Sequence, residues 1–130
     1  MPKKVLIVED NDLNLKLFRD LLEAHDINVV ETREGKLAVE TALREAPDLI
    51  IMDIQLPGVS GLDIIREMKA VPQLVNTPII AVTAFAMRDD EENILSSGCE
   101  AYIAKPISIG PFLNTIEKYI NKDAPQKAAQ

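Results

Sequence analysis

Four short apolar runs in this chain end in a side chain that could do chemistry. Val5 to Val8 runs into Glu9 and Asp10, and Leu49 to Met52 into Asp53. Ile79 to Val82 runs into Thr83, and the segment Glu100 to Ala104 into Lys105. Each residue alone has an ordinary reading: an aspartate opening the Leu56-Pro57-Gly58 turn, a hydroxyl at a strand end, a solvated lysine. Together they form a different set. Carboxylates that converge repel one another unless a cation joins them, and a hard divalent ion takes oxygen ligands. A carboxylate nucleophile, such an ion, an ammonium and a hydroxyl are what a phosphoryl group needs for attack and charge neutralisation.

The elements must bring these residues together. Leu49 to Met52 lies between Pro47 and Pro57, too short for a helix, and is apolar at consecutive positions, as in a strand covered on both faces of a parallel sheet. Val5 to Val8 reads the same way. From Asp12 the period changes. Leu13, Leu17 and Leu21, with Phe18 and Leu22 beside them, predict an amphipathic helix with that stripe inward. Asn11 or Asp12 is its cap. Ile27 to Glu31 is short and partly polar, an edge strand. Ala38, Val39, Ala42, Leu43 and Ala46 mark a second helix stopped by Pro47. Ser60 caps a third carrying Leu62, Ile65 and Met68. Thr77 to Thr83 is a strand with its proline at the entry, where a missing donor matters least. The fourth helix, about Met87 to Ser97, is the weakest amphipath, anchored by Ile94 and Leu95, with Gly98 as its cap. Glu100 to Ala104 is the fifth strand. Ser108 opens the last helix, with Leu113, Ile116 and Ile120 inward and Phe112 and Tyr119 at its flanks.

Strand and helix alternate throughout, which calls for an α/β fold: a parallel sheet with helices on both faces, a three-layer sandwich. Each helical connection returns the chain to the same end of the sheet, so the strands finish on one edge. Glu9, Asp10, Asp53, Thr83 and Lys105 therefore meet on a common rim, where open α/β sheets place their ligands. Asp10, Asp53 and one carbonyl after Asp53, offered by Gln55, would suffice for Mg²⁺, with Glu9 or Asp10 partly acting through water.

Composition narrows the classes. At 130 residues the chain fits one domain, read as residues 1–122 with a flexible tail at 123–130. A net charge of -7, with no basic cluster, argues against nucleic-acid binding. A single Cys and a single His disfavour a disulfide, a zinc site or a Cys/His catalytic pair. No apolar stretch is long enough for membrane insertion, and no signal peptide is visible, so the expectation is a cytoplasmic protein.

Glu9-Asp10, Met52-Asp53 with Leu56-Pro57-Gly58, Thr83-Ala84 and Lys105-Pro106, in this order and spacing, resemble the CheY-like receiver domain of two-component response regulators. The resemblance runs from Val5 to about Ile120. Val8 to Asn14, Ala81 to Met87 and Gly98 to Ile103 are similar, more narrowly, to the DivK type of single-domain cell-division regulators. The resemblance implies a flavodoxin-like (βα)5 fold with strand order 2-1-3-4-5. It implies that Asp53 accepts phosphoryl from a sensor histidine kinase or a histidine phosphotransfer protein. Glu9, Asp10, Asp53 and the Gln55 carbonyl would hold Mg²⁺, or Mn²⁺ in its place. Lys105 would pair with phosphoryl oxygens, and the Lys105-Pro106 bond would be cis. Thr83 would move toward the phosphoryl group and free space for Tyr102 to turn inward.

No effector is expected after the fifth helix, so the expected output is a downstream protein bound by the face of the fourth helix, fifth strand and fifth helix. Leu13, Asn14 and Leu15 are expected near the rim to help dock kinase helices. The helical stripes are absorbed by the core, which gives a monomer, and a partner could recruit it to a cell pole. Phe85, two residues after Thr83, with the uncharged Gln55, would leave no base for hydrolytic water and give a long-lived phosphoaspartate. Two other classes compete. A flavodoxin-type cofactor binder needs a phosphate-cradling loop after the first strand, but that loop is acidic here. A Mg²⁺-dependent aspartyl-nucleophile phosphatase wants a second acid where Asp53-Ile54-Gln55 has none.

Overall fold

The computed structural model describes residues 3–84 and 88–120. Along them run β1 (Lys4–Val8), α1 (Asp12–Glu23), β2 (Asn28–Thr32), a 3-10 turn (Gly35–Leu37) and α2 (Ala38–Glu45). There follow β3 (Leu49–Asp53), α3 (Gly61–Lys69), β4 (Ile79–Thr83), α4 (Arg88–Ser96), β5 (Ala101–Ala104) and α5 (Ile109–Ile120). The strands pair in parallel in the order β2-β1-β3-β4-β5, the flavodoxin-like arrangement.

β3 and β4 are buried at every position because both of their faces carry helices. The alternation of side chains along a strand divides the core in two. Leu6, Val8, Ile50, Met52 and Ala81 meet α2, α3 and α4 through Ala42, Ile65, Met68 and Ile94. Val5, Ile7, Leu49, Ile51 and Val82 meet α1 and α5 through Leu15, Phe18, Leu22, Phe112 and Ile116. β2 lies at one edge of the sheet, with Asn28 and Glu31 exposed along it.

Several helix faces differ from the expected ones. In α1 the buried line is Leu15, Phe18 and Leu22, while Leu13 is 78% exposed. Positions 13, 17 and 21 drift about 40° per step around a helix that turns about 100° per residue, so that stripe slides off the sheet. Spacings of three and four hold the inward line. Phe112 of α5, expected at a flank, is fully buried and stacks on Phe18 with ring centroids 5.1 Å apart and planes 18° from parallel. That pair ties α1 to α5, and its aromatic area outweighs what the smaller leucines could bury. In α2 Thr41 is buried where Leu43 was expected, and Leu43 is exposed. In α4 Ile94 is buried but Leu95 is 44% exposed, so the helix is held even more thinly than its sequence suggests. The expected start of α4 at Met87 and the tail at 123–130 lie outside the described residues. Gly98 follows α4 at φ 110°, a conformation that a Cβ disfavours, as a helix-ending glycine should.

Candidate functional site

Strand register sets the rim. Val8 stands opposite Met52, Asp53 opposite Val82, and Thr83 opposite Ala104. The ladder continues one residue further: Glu9 donates its N–H to the Thr32 carbonyl at 3.1 Å, and Lys105 donates to the Thr83 carbonyl at 2.7 Å. The backbone thus fixes where the reactive side chains leave the sheet, which is why residues up to 96 positions apart share one site.

Glu9, Asp10 and Asp53 each offer a carboxylate oxygen within 4.8 Å of the others. Glu9 is fully buried and Asp53 is 2% exposed, whereas Asp10 keeps contact with solvent. One Glu9 oxygen, Oε2, accepts the Asn11 N–H at 3.2 Å, but Oε1 is buried with no hydrogen-bond partner. Burial, reinforced by the Asp53 carboxylate alongside, pushes the Glu9 carboxyl from the usual 4.5 up to about 7. An orphaned buried oxygen beside two other carboxylates suits a hard cation with oxygen ligands.

Lys105 supplies the positive charge. Its Nζ lies 3.4 Å from Asp53 Oδ2 and 3.9 Å from Glu9 Oε1, a loose pairing that leaves both acids short of donors. The Lys105–Pro106 peptide bond is cis. Asp53 Oδ1 accepts the Gln55 N–H at 2.9 Å. Thr83 is fully buried, and its Oγ1 accepts a hydrogen bond from Gln55 Nε2 at 2.9 Å.

The comparisons with known proteins show the family. The model of the response regulator receiver domain matches residues 5–117. The chain belongs to the response regulator receiver family. This receiver is 56% identical over 120 residues to the polar-differentiation response regulator DivK of Brucella anthropi, covering 92% of this chain and 98% of the relative. It also resembles the receiver domain of a Pseudomonas aeruginosa sensor histidine kinase solved with a magnesium ion coordinated in the active site cleft. That likeness has a TM-score of 0.85 and 33% identity, over 93% of this chain and 99% of the other. The BeF3-activated receiver domain of RstA from Klebsiella pneumoniae matches with a TM-score of 0.83 and 30% identity, over 90% and 97% of the two chains.

Tyr102 of the receiver is half-buried, and its hydroxyl donates to Glu91 Oε2 of α4 at 2.5 Å. Leu13 and Asn14 sit at the start of α1 beside the rim, but Leu15 is buried in the core and offers nothing to a partner. Phe85 lies outside the described residues. Among the described residues no helix is long and apolar enough to cross a membrane.

Two features of the site escaped the sequence. A Cβ on Gly61 would stand 2.4 Å from Ile54 Cα and 2.7 Å from the Asp53 carbonyl, so α3 can start against the strand end only with a glycine there. The turn cluster around Gly61 was legible, but this close approach was not. The second is the Gln55 side chain, expected to leave hydrolytic water without a base but not to make a contact of its own, which reaches across to β4.

Proposed function

We propose that this receiver accepts a phosphoryl group on Asp53 from a phosphohistidine of a sensor kinase or a histidine phosphotransfer protein. An Asp53 oxygen forms the new O–P bond as the N–P bond breaks, and the imidazole nitrogen keeps the electron pair and takes up a proton. Glu9, Asp10, Asp53 and the Gln55 carbonyl would hold Mg²⁺, with Mn²⁺ as a substitute. Such an ion, when bound, neutralises charge on the transferring oxygens. Lys105, 3.4 Å from Asp53, adds a second positive charge. The observation that carries the reading is the orphaned Glu9 oxygen next to a buried Asp53 with Lys105 3.4 Å away. That arrangement is poorly satisfied by the protein alone and well suited to an ion and a phosphoryl group.

The output is a change of face. Thr83 moves toward the phosphoryl group, Tyr102 gives up Glu91 and turns inward, and the face of α4, β5 and α5 presents a second surface to a downstream protein. α4 suits this role because its inward anchor among the described side chains is essentially Ile94, which leaves its packing easy to change. Similarity to the DivK relative supports a place in cell-division or polar-differentiation signalling, as a cytoplasmic monomer recruited by its partners. Phe85 and Gln55 slow the loss of phosphoryl by leaving hydrolytic water without a base.

Acetyl phosphate with Mg²⁺ tests the central claim. Wild type should take up the label transiently, and Asp53→Asn should take up none. Label that survives Asp53→Asn, or sustained turnover of phosphate esters, would overturn it.

A further inference from the structure

The carboxamide of Gln55 reaches from the loop after β3 to the end of β4, beyond the last ladder bond from the Ile54 N–H to the Val82 carbonyl. Its Nε2 donates to Thr83 Oγ1 at 2.9 Å, and its Oε1 accepts the Ala84 N–H at 3.0 Å. The orientation of the amide is dictated by chemistry. A backbone N–H can only donate, so the oxygen must face Ala84 and the nitrogen must face Thr83. The same residue also donates its own N–H to Asp53 Oδ1 at 2.9 Å. Gln55 therefore holds Asp53 through its main chain and the end of β4 through its side chain. The contact spans 28 residues of sequence to Thr83 and 29 to Ala84, so no local turn enforces it.

We propose that the Gln55 side chain is a latch that keeps the Thr83-Ala84 segment in its unphosphorylated position, and that loading Asp53 has to break it. The proposal rests on Asp53 being the phosphoryl acceptor. A planar amide presents one donor and one acceptor at fixed separation, so it fixes both groups with a single rotamer. Thr83 cannot carry its hydroxyl toward Asp53 while that oxygen stays on Gln55 Nε2, nor can the Ala84 N–H turn to a new acceptor while it faces Oε1. Asparagine is one methylene shorter and would not span the same gap. Methionine keeps the length and loses both hydrogen bonds. Because Ala84 is exposed, water can take up its N–H when the amide is absent, so removing the latch breaks these two contacts without stranding a buried donor. Breaking two neutral hydrogen bonds, each with a modest net worth, opposes the activated state by a factor of about ten.

The test uses beryllofluoride with Mg²⁺, titrated into wild type, Gln55→Met, Gln55→Ala and Asp53→Asn, with binding followed by the amide NMR resonances. The expected result is about tenfold tighter binding by Gln55→Met and Gln55→Ala than by wild type. The Ala84 amide of both unliganded variants should also move part of the way toward its liganded position. Equal or weaker binding by both folded variants, with wild type binding and Asp53→Asn silent, overturns the latch alone. Absence of binding by wild type overturns the Asp53 reading and the latch with it.

Discussion

At the carboxyl end of the sheet Lys105 stands 3.4 Å from Asp53 and 3.9 Å from Glu9 Oε1, and that Glu9 oxygen has no hydrogen-bond partner. At the amino end Lys69 of α3 donates to the Thr77 carbonyl at 2.8 Å, to Glu100 Oε2 at 3.1 Å and to the Val75 carbonyl at 3.3 Å. The other Glu100 oxygen accepts the Ile79 N–H at 2.7 Å. On the same side of the sheet the Lys4 N–H meets Asp48 at 2.8 Å, and its ammonium meets the Glu45 carbonyl at 3.1 Å. Lys69 and Glu100 at the amino end, and Lys105, Glu9 and Asp53 at the carboxyl end, are all partly or fully buried. Only the amino end saturates them: three acceptors surround the Lys69 ammonium, which has three hydrogens. A saturated group has no capacity left for a ligand and serves cohesion, joining α3 to the entries of β4 and β5. An unsaturated acid cluster costs stability in the free protein and gains it back when a cation or a phosphoryl group arrives.

The strongest way to break this contrast is Lys69→Met. It leaves the Glu100 carboxylate and two carbonyls short of a donor where Lys69 is only 15% exposed and Glu100 19%. Urea unfolding should show a loss of about 3 kcal/mol, while labelling of the still-folded protein by acetyl phosphate stays as in wild type. Loss of labelling with unchanged stability would invert the assignment of the two ends.

The carboxyl end has a pH signature of comparable size. The Glu9 carboxyl is raised from 4.5 to about 7 by burial and the neighbouring Asp53. A raised carboxyl favours the folded state when protonated, so its contribution is complete below pH 4.5 and is lost as the pH rises to about 7. Metal-free protein should therefore lose up to about 3 kcal/mol across that window. Glu9→Gln should flatten the profile and also weaken Mg²⁺ binding, both readable by unfolding and titration. A profile that Glu9→Gln leaves unchanged would assign the dependence to another group.

Gly61→Ala should disturb the carboxyl end from below. The added methyl collides with the backbone of Ile54 and the Asp53 carbonyl, costing about 2 kcal/mol and slowing labelling because the phosphoacceptor strand end shifts. Thermal melts and labelling rates should fall together. The smallest effect belongs to the amino end. Ala46 closes α2 at φ 47°, and Ala46→Gly should relieve that strain and stabilise the fold by about 0.5–1 kcal/mol without altering the labelling rate.

Much of this was legible in the residues themselves. The apolar runs before Glu9, Asp53 and Thr83 are short and bounded by turn chemistry, so strand identity and the alternation with helices followed from pattern alone. The caps at Asn11 and Ser60, whose side chains accept from Asn14 and Asp63, are local hydrogen bonds and could be read the same way. Leu13 and Leu15 show where reading stopped. Both fit an apolar helix, but the choice between them depended on Phe18 meeting Phe112 from a helix 94 residues away. Glu100, expected as the first residue of the last strand, lies just before it and turns its carboxylate to Lys69.

The sequence by itself determined the order of the elements, the parallel sheet and the end of the sheet at which Glu9, Asp10, Asp53, Thr83 and Lys105 emerge. Those depend on local periodicity and on the rule that helical crossovers return strands to one edge. Only the tertiary structure decided which of these groups are satisfied and which are left waiting. The orphaned Glu9 oxygen, the loose Lys105 pairing and the bracket of Gln55 on Thr83 and Ala84 arise from distances between strands far apart in the chain. Residue types and spacings along one strand carry no information about those distances, because they are set by register and packing across the sheet.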